Sequence, residues 1–302
     1  MERKVIVIVG PTCSGKTKLS LLLAKRLKSE IISADSRQVY KYLDIGTAKP
    51  TGQELKEVKH HFINVLNPDE EFNINRFEVE AVSIISKLHK LNKIPVVVGG
   101  SGLYIKALID GIFNTVDKDE EYRNELKEKK SKYGNEYLYE ELKKVDPISA
   151  SRMLPQNWKR VIRALEVHHL SGKPIWKHQQ EYVRQINFEF YQYGLNWDRE
   201  ILFDNINMRV EQMVKNGLIE ETKNVLGMGY NRELNSLNTV GYKEIISYLN
   251  NEFTLEKAIE LIKRNTRRFA KRQVTWFRKD NRIKWFSIIR GEDIDEVSKR
   301  IA

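Results

Sequence analysis

Between Gly10 and Thr17 the chain reads GPTCSGKT, which satisfies the pattern G-x-x-x-x-G-K-[ST] at every fixed position. Backbone N–H groups of such a loop gather around a phosphate, and the helix that follows favours negative charge at its start. The neighbouring residues supply the required context. Val5 to Val9 is an unbroken β-branched run, and Leu19, Leu22, Leu23 and Leu27 recur at helical spacing within Lys16 to Lys28. Strand, glycine loop and helix in that order predict a phosphate site built from Gly10, Pro11, Thr12, Cys13, Ser14, Gly15, Lys16 and Thr17. Lys16 adds a point charge and Thr17 a hydroxyl for Mg2+. The alternative is a glycine-rich turn that only joins strand to helix.

The element order past this loop is that of an open parallel sheet. Glu30 to Ala34 reads as a second strand ending in Asp35, Ser36, Arg37 and Gln38, and Ile94 to Val98 as a third, followed by Gly99, Gly100, Ser101 and Gly102. Carboxyl ends of parallel strands line the ligand crevice, which places Asp35 beside the phosphate loop and makes it a catalytic candidate. From spacing alone, Asp35 and Ser101 read as turn and helix-cap residues before they read as catalytic ones. From Thr115 to Asn187 the texture changes to charged helical stretches. The expected architecture is therefore α/β: a P-loop NTPase-like parallel-sheet core flanked by helices, in segments 1–114 and 188–302, interrupted by a helical insertion domain over 115–187. In the insertion, Val161, Leu165 and His168 to Leu170 form the expected buried face, leaving Lys159, Arg160 and Arg163 on another part of the surface.

With 302 residues, 41% of them hydrophobic, the chain can bury a sizeable core, and its apolar runs are too short to span a membrane. A single cysteine, Cys13, permits no intramolecular disulfide and fits a reducing compartment, the cytoplasm. A small side chain filling a tight loop accounts for it. His60 and His61 are adjacent, so on a strand they point to opposite faces and cannot readily share an ion; no structural zinc is expected. Trp158, Trp176 and Trp197 read as packing residues rather than base-stacking ones.

The net charge of +11 makes nucleic acid a serious candidate partner. Generic basicity is the competing explanation, and location decides between them. Leu255 to Phe277 is amphipathic, with Leu255, Ile259, Ile262, Thr266, Phe269 and Trp276 on the expected buried stripe. Lys263, Arg264, Arg267, Arg268, Lys271 and Arg272 crowd the other face, denser than solvation requires.

Eight motifs in fixed order resemble the tRNA dimethylallyltransferases, also called isopentenyl-tRNA transferases. They are GPTCSGKT, DSRQVY from Asp35, DIGTAKP from Asp44, HHFIN from His60, GGSGLY from Gly99, RALEV from Arg163, TVGYKEI from Thr239 and TRRFAKRQVTWFR from Thr266. The resemblance implies transfer of a dimethylallyl group from dimethylallyl diphosphate to the exocyclic amine of the adenosine 3′ to the anticodon, with release of diphosphate. It implies Mg2+ as cofactor and a loop that grips the donor's diphosphate rather than ATP. Among catalytic residues it implies Asp35 as base, with Lys16, Ser101 and Arg209 at the reacting groups. Ser101 stands where the family more often has Thr, which keeps the hydroxyl and loses a methyl.

Contacts with the tRNA anticodon stem-loop are implied for Asp35, Ser36, Arg37, Gln38 and Ser101, and for Arg123, Lys159, Arg160, Val161, Ile162 and Arg163 of the insertion. Further contacts are implied for Thr239, Val240, Gly241, Tyr242 and Lys243, and for Lys271, Arg272 and Gln273. A single chain is expected to suffice. A small-molecule kinase and a non-catalytic RNA-binding module that grips a nucleotide are the competing functions; ATP turnover and the absence of any covalent change to RNA, respectively, would identify them.

Overall fold

The computed structural model describes residues 3–113, 116–184, 186–291 and 293–302. In chain order the elements are β1 (Lys4–Val9), α1 (Lys16–Arg26), β2 (Ile31–Ser33), α2 (Gly52–Glu57), β3 (His60–His61), α3 (Ile74–Lys90), β4 (Val96–Val98) and α4 (Gly102–Asp110). Then come α5 (Glu120–Val145), α6 (Pro147–Ala150), α7 (Trp158–Ser171) and α8 (Ile175–Glu181). The last group is β5 (Glu189–Trp197), α9 (Arg199–Lys215), α10 (Leu218–Gly227), α11 (Tyr242–Leu249), α12 (Leu255–Phe277), β6 (Lys284–Ile288) and α13 (Asp293–Ile301).

The six strands form one parallel sheet in the order β3-β2-β4-β1-β5-β6. Central position explains the β-branched run of β1, since a strand covered on both faces has no polar side. Val5, Val7 and Val9 enter one core, beside Phe77, Ala81 and Ile85 of α3 and Ile105 and Leu108 of α4. Ile6 and Ile8 enter the other, beside Leu19 and Leu23 of α1 and Ile294, Val297 and Ile301 of α13. β6 is a strand the sequence analysis does not assign; it pairs with β5 from Tyr193↔Lys284 to Trp197↔Ile288. Trp197 is the last residue of β5, and Asp198 caps α9 by accepting from Glu200 N–H and Ile201 N–H.

A third core joins the segment after β2, through Val39, Tyr40 and Leu43, to α10, α11 and the first turns of α12. On α12 the buried positions are Ala258, Ile262, Ala270, Gln273 and Phe277. The expected stripe drifts off this face: Phe269 is 39% and Trp276 38% exposed. The reason is that the end of α12 meets small groups, with Ala270 clustered with Cys13 of the phosphate loop and Trp276 over Gly102.

Two compact units emerge: residues 1–109 with 187–302, and residues 110–186. The boundary expected between Asn114 and Thr115 lies outside the described residues. The smaller unit is helical, α5 to α8, with α5 broken at Gly134 (φ 86°). Leu126, Leu138, Leu142, Val161 and Leu165 centre its core. His169 and Leu170, expected in that core, are exposed where α7 nears its end at Gly172. Among the described residues no helix is long and apolar enough to cross a membrane.

Candidate active site

The loop from Gly10 to Gly15 turns at the carboxyl end of β1 and hands over to α1 at Gly15, whose φ of 87° belongs to glycine. A Cβ there would also lie 2.3 Å from Ile294 Cδ1. Three elements hold the loop. Trp197 at the end of β5 donates its indole N–H to Ser14 O at 2.9 Å, and Thr12 N–H donates to Gln273 Oε1 of α12 at 2.8 Å. Cys13, with φ 63° and 8% exposed, packs on Leu202, Ile206 and Ala270, so its sulfur serves as filler.

Lys16 opens α1 and turns its ammonium back to Pro11 O. Burial pulls its pKa down to about 8; the Arg209 guanidinium pushes the same way, while Cys13 and Asp35 oppose. Lys16 thus lies within electrostatic reach of both Arg209 and Asp35. Arg209, half-buried on α9, makes no ion pair among the described residues. Two cations beside the loop, neither in an ion pair among the described residues, could hold an anionic ligand such as a phosphate. Ser14 Oγ is buried there without a hydrogen-bond partner, a polar atom that a ligand would satisfy.

Asp35 follows β2. Its Oδ1 accepts the N–H groups of Arg37 at 2.8 Å and Gln38 at 3.3 Å, a turn that orients the carboxylate, while no donor among the described residues reaches Oδ2. The turn reading and the base reading are therefore compatible in one side chain. Ser101 stands at the start of α4, where its carbonyl accepts Ile105 N–H at 3.1 Å, and its Oγ accepts Ser36 N–H at 3.1 Å. That bond crosses from the loop after β4 to the loop after β2, brought together because Gly99 lets Ala34 O approach to where a Cβ would sit at 2.1 Å.

Gln38 is committed within the protein: it accepts from Ser33 Oγ and donates to Thr47 O and Ala48 O. Arg37 donates to Asn235 O. Ser36 and Arg37 remain half-buried. At the start of α11, Thr239 and Val240 are half-buried and Lys243 is exposed, whereas Gly241 is buried and Tyr242 fully so. The expected contact through Tyr242 is corrected by this burial: its hydroxyl donates to Glu221 and accepts from Gly46 N–H. Glu221 gathers the N–H groups of Asp44, Ile45 and Gly46 as well, which fixes the DIGTAKP segment.

On α12, Arg264, Arg268, Lys271 and Arg272 are exposed, but Lys263 is bound to Glu211 and Arg267 to Asn207. Gln273, expected beside Lys271 and Arg272 on the RNA surface, is 6% exposed and faces inward. Its helical position puts it on the face of Ala270 and Phe277.

In the helical unit Lys159 and Arg160 are exposed. Val161 and Ile162 are 0% and 5% exposed, so their expected side-chain contact with RNA is corrected to a packing role. Arg123 and Arg163 both grip Glu166, which is fully buried: Arg123 with Nε and Nη2 at 2.6 and 2.9 Å, Arg163 with Nη1. Asp119 N–H completes the shell at 2.9 Å. Trp158 packs on this unit's core under Lys130 and Lys159 at 4.6 and 5.4 Å from its ring.

His60 and His61 take separate partners, Val58 O and Glu30, each at 2.8 Å. No group of three or more His, Cys, Asp or Glu able to hold a metal occurs among the described residues. Mg2+ does not need one, because it keeps waters and binds beside substrate phosphates through one or two protein oxygens. Thr17, half-buried in the first turn of α1 with its hydroxyl unused by any described residue, fits that donor set.

Sequence reasoning passed over Glu166 and Glu221 and the inward face of Gln273. A carboxylate three residues after Arg163 was the one visible signal for the first.

The IPP transferase family model matches residues 38–280. The tRNA dimethylallyltransferase of Thermoanaerobacter sp. (strain X514) is 46% identical over 305 aligned positions, covering 100% of this chain and 97% of its own. Among solved structures, the tRNA isopentenylpyrophosphate transferase of Bacillus halodurans is 42% identical with a TM-score of 0.73, covering 99% of this chain and 96% of its own. A eukaryotic dimethylallyltransferase acting on tRNA is 30% identical with a TM-score of 0.82, covering 99% and 77%. A family model spanning most of the chain, relatives aligned along its whole length and solved structures of the same fold agree, and the chain belongs to the IPP transferase family.

Proposed function

We propose that this protein transfers the dimethylallyl group of dimethylallyl diphosphate to the exocyclic amine of the adenosine on the 3′ side of a tRNA anticodon. The observation that carries the reading is the placement of Lys16, in the loop at the carboxyl end of β1, within electrostatic reach of both Arg209 and Asp35. An anion socket and a carboxylate with one free oxygen, side by side, suit departure of diphosphate and removal of a proton in one event.

The adenine amine is a weak nucleophile because its lone pair is delocalised into the ring. As its nitrogen bonds to the allylic carbon, the carbon–oxygen bond to diphosphate breaks, and Asp35 Oδ2 takes the proton the amine releases. Negative charge develops on the departing diphosphate. Lys16, Arg209 and the loop N–H groups around Ser14 to Lys16 face that charge and stabilise it where it forms. Thr17 would hold Mg2+ together with diphosphate oxygens and water, where the ion supplies Lewis-acid neutralisation of the leaving group.

The target base must leave the anticodon stack to reach Asp35, which a single-stranded loop permits at low cost. Exposed Lys159 and Arg160, and Lys243, Lys271 and Arg272, contact the RNA backbone. The helical unit serves as the stem-loop-binding domain. The protein acts in the cytoplasm and as a single chain.

Incubation of unmodified tRNA with dimethylallyl diphosphate and Mg2+, followed by mass analysis of digested nucleosides, tests the reading. One five-carbon unit on an adenosine beside the anticodon supports it. An unchanged RNA, or ATP consumption in place of donor consumption, overturns it.

A further inference from the structure

Gln273 is the only side chain described here whose two amide ends bind the two loops that carry the reacting groups. Its Oε1 accepts Thr12 N–H at 2.8 Å in the phosphate loop, and its Nε2 donates to Gly100 O at 2.9 Å in the loop after β4. The residue is 6% exposed and sits on α12, a helix long enough to act as a rigid mount. Gly100 is followed by Ser101, whose hydroxyl takes Ser36 N–H at 3.1 Å, next to Asp35. A path of three hydrogen bonds, joined by the chain between Gly100 and Ser101, therefore runs from the phosphate loop through one carboxamide to the residue after Asp35.

The chemistry at the two ends is fixed. Thr12 N–H can only donate and Gly100 O can only accept, so the bridging group must accept at one tip and donate at the other, with both tips on one planar unit. Glutamine meets this; glutamate when ionised, lysine and methionine do not. The position opposite is equally constrained, since a Cβ on Gly100 would lie 2.1 Å from Gln273 Nε2. Burial raises the cost of leaving either backbone group unsatisfied.

We propose that Gln273 is a positioning residue for group transfer, a staple that sets the spacing between the diphosphate socket and the Asp35–Ser101 side of the site, and not an RNA contact. The inference rests on the prenyl-transfer reading. Placement errors near 1 Å can cost about a hundredfold in rate. Losing the staple therefore lowers the chemical step and leaves tRNA affinity in place, because the exposed cations that bind backbone are untouched.

Single-turnover prenylation at saturating tRNA and donor separates the possibilities, with Gln273→Met, Gln273→Glu and Gly100→Ala compared to wild type. Each variant is expected to show a rate constant lowered on the order of tenfold to a hundredfold. Reaction amplitude and tRNA Kd stay within about threefold of wild type, less than half a decade. A fall in amplitude at an unchanged rate constant would mean fewer folded molecules and would overturn the proposal. So would weakened tRNA binding with a wild-type rate constant, the signature of an RNA contact. If Gln273→Met does not fold, Gln273→Glu carries the test, since it is isosteric and retains the Thr12 bond. Failure of wild type itself to prenylate would strike the functional reading and not the staple.

Discussion

Ser101 Oγ accepts the N–H of Ser36 at 3.1 Å, which pins the residue after Asp35 to the loop that follows β4. A side-chain hydroxyl and a backbone N–H 65 positions apart in sequence are thereby joined beside one carboxylate. Asp35 takes part in its own turn through Oδ1 and keeps Oδ2 for chemistry.

Asp35→Ala removes the proton acceptor and no phosphate contact. Turnover is expected to fall about 10²- to 10⁴-fold, the usual worth of a positioned base. Binding of tRNA, measured by filter retention at fixed salt, should change less than about threefold. Near-normal turnover would take Asp35 out of the reaction.

Ser101→Ala deletes one hydrogen bond of ordinary strength, and a loss of about 1 kcal/mol corresponds to roughly fivefold in rate. Ser101→Thr keeps the oxygen and stiffens its rotamer, so it should match or exceed wild type. A Thr variant as slow as the Ala variant would contradict a role for the hydroxyl.

In the proposed reaction Lys16 holds the diphosphate as an ammonium, and burial with Arg209 nearby brings its pKa to about 8. The sign follows directly. Below pH 8 the free protein holds the charge that binds the donor, and as pH rises through about 8 the charge is lost. The kcat/KM for dimethylallyl diphosphate should therefore decline on the alkaline side with an apparent pKa near 8. Lys16→Gln should abolish that limb and reduce kcat/KM on the order of a hundredfold. A wild-type profile flat to pH 10 at constant ionic strength would show that Lys16 is not the titrating grip.

The glycine pattern made the phosphate loop and its strand and helix readable, because that geometry needs specific residues at fixed spacing. β1 was equally plain, being covered on both faces and β-branched throughout. Asp35 and Ser101 were placed by strand order but remained ambiguous, since turn, cap and catalytic residues draw on the same amino acids. The bond between Ser101 Oγ and Ser36 N–H depends on two loops meeting and leaves no local mark. On α12 the drift of Phe269 and Trp276 off the buried face had the same origin. Periodicity identifies an apolar stripe, but what packs on each turn is decided by distant residues, here Cys13 and Gly102. Gln273 lay within a basic run and looked like one more polar surface residue, although its i, i+4 spacing to Phe277 put it on the buried side.

Glu30 joins the end of α1 to the outer strands, accepting from His61 at 2.8 Å and from Lys59 and Lys93 each at 3.2 Å. Burial pushes its pKa up, but these three partners outweigh that and bring it to about 2. A carboxylate depressed in the folded state stabilises fully above its ordinary value of 4.5 and loses that contribution as pH falls through about 2. Glu30→Gln should lower stability near neutral pH by about 1–3 kcal/mol, and the gap should close in acid. Urea titrations of both proteins at pH 7 and at the lowest pH where wild type stays folded would measure it; a gap that widens in acid would reverse the assignment.

Glu166 anchors the basic surface of the helical unit. Burial works against its charge, yet bonds from Arg123, Arg163 and Asp119 N–H hold its pKa below the usual carboxylate range. Arg123 and Arg163 are 21% and 26% exposed as side chains, so solvent screens part of the attraction. Glu166→Gln leaves two guanidiniums without their shared counter-charge and should destabilise the unit by about 1–3 kcal/mol, less than for a fully buried pair. The substitution raises net charge by one, which by long-range attraction alone would tighten RNA binding. If instead the carboxylate matters by aiming both arginines at phosphates, affinity for an anticodon stem-loop should fall about threefold to tenfold despite the added charge, and log Kd should depend less steeply on log salt. Binding isotherms between 50 and 200 mM salt distinguish the two. Tighter binding with an unchanged slope would mean that Glu166 serves only to hold the helices together.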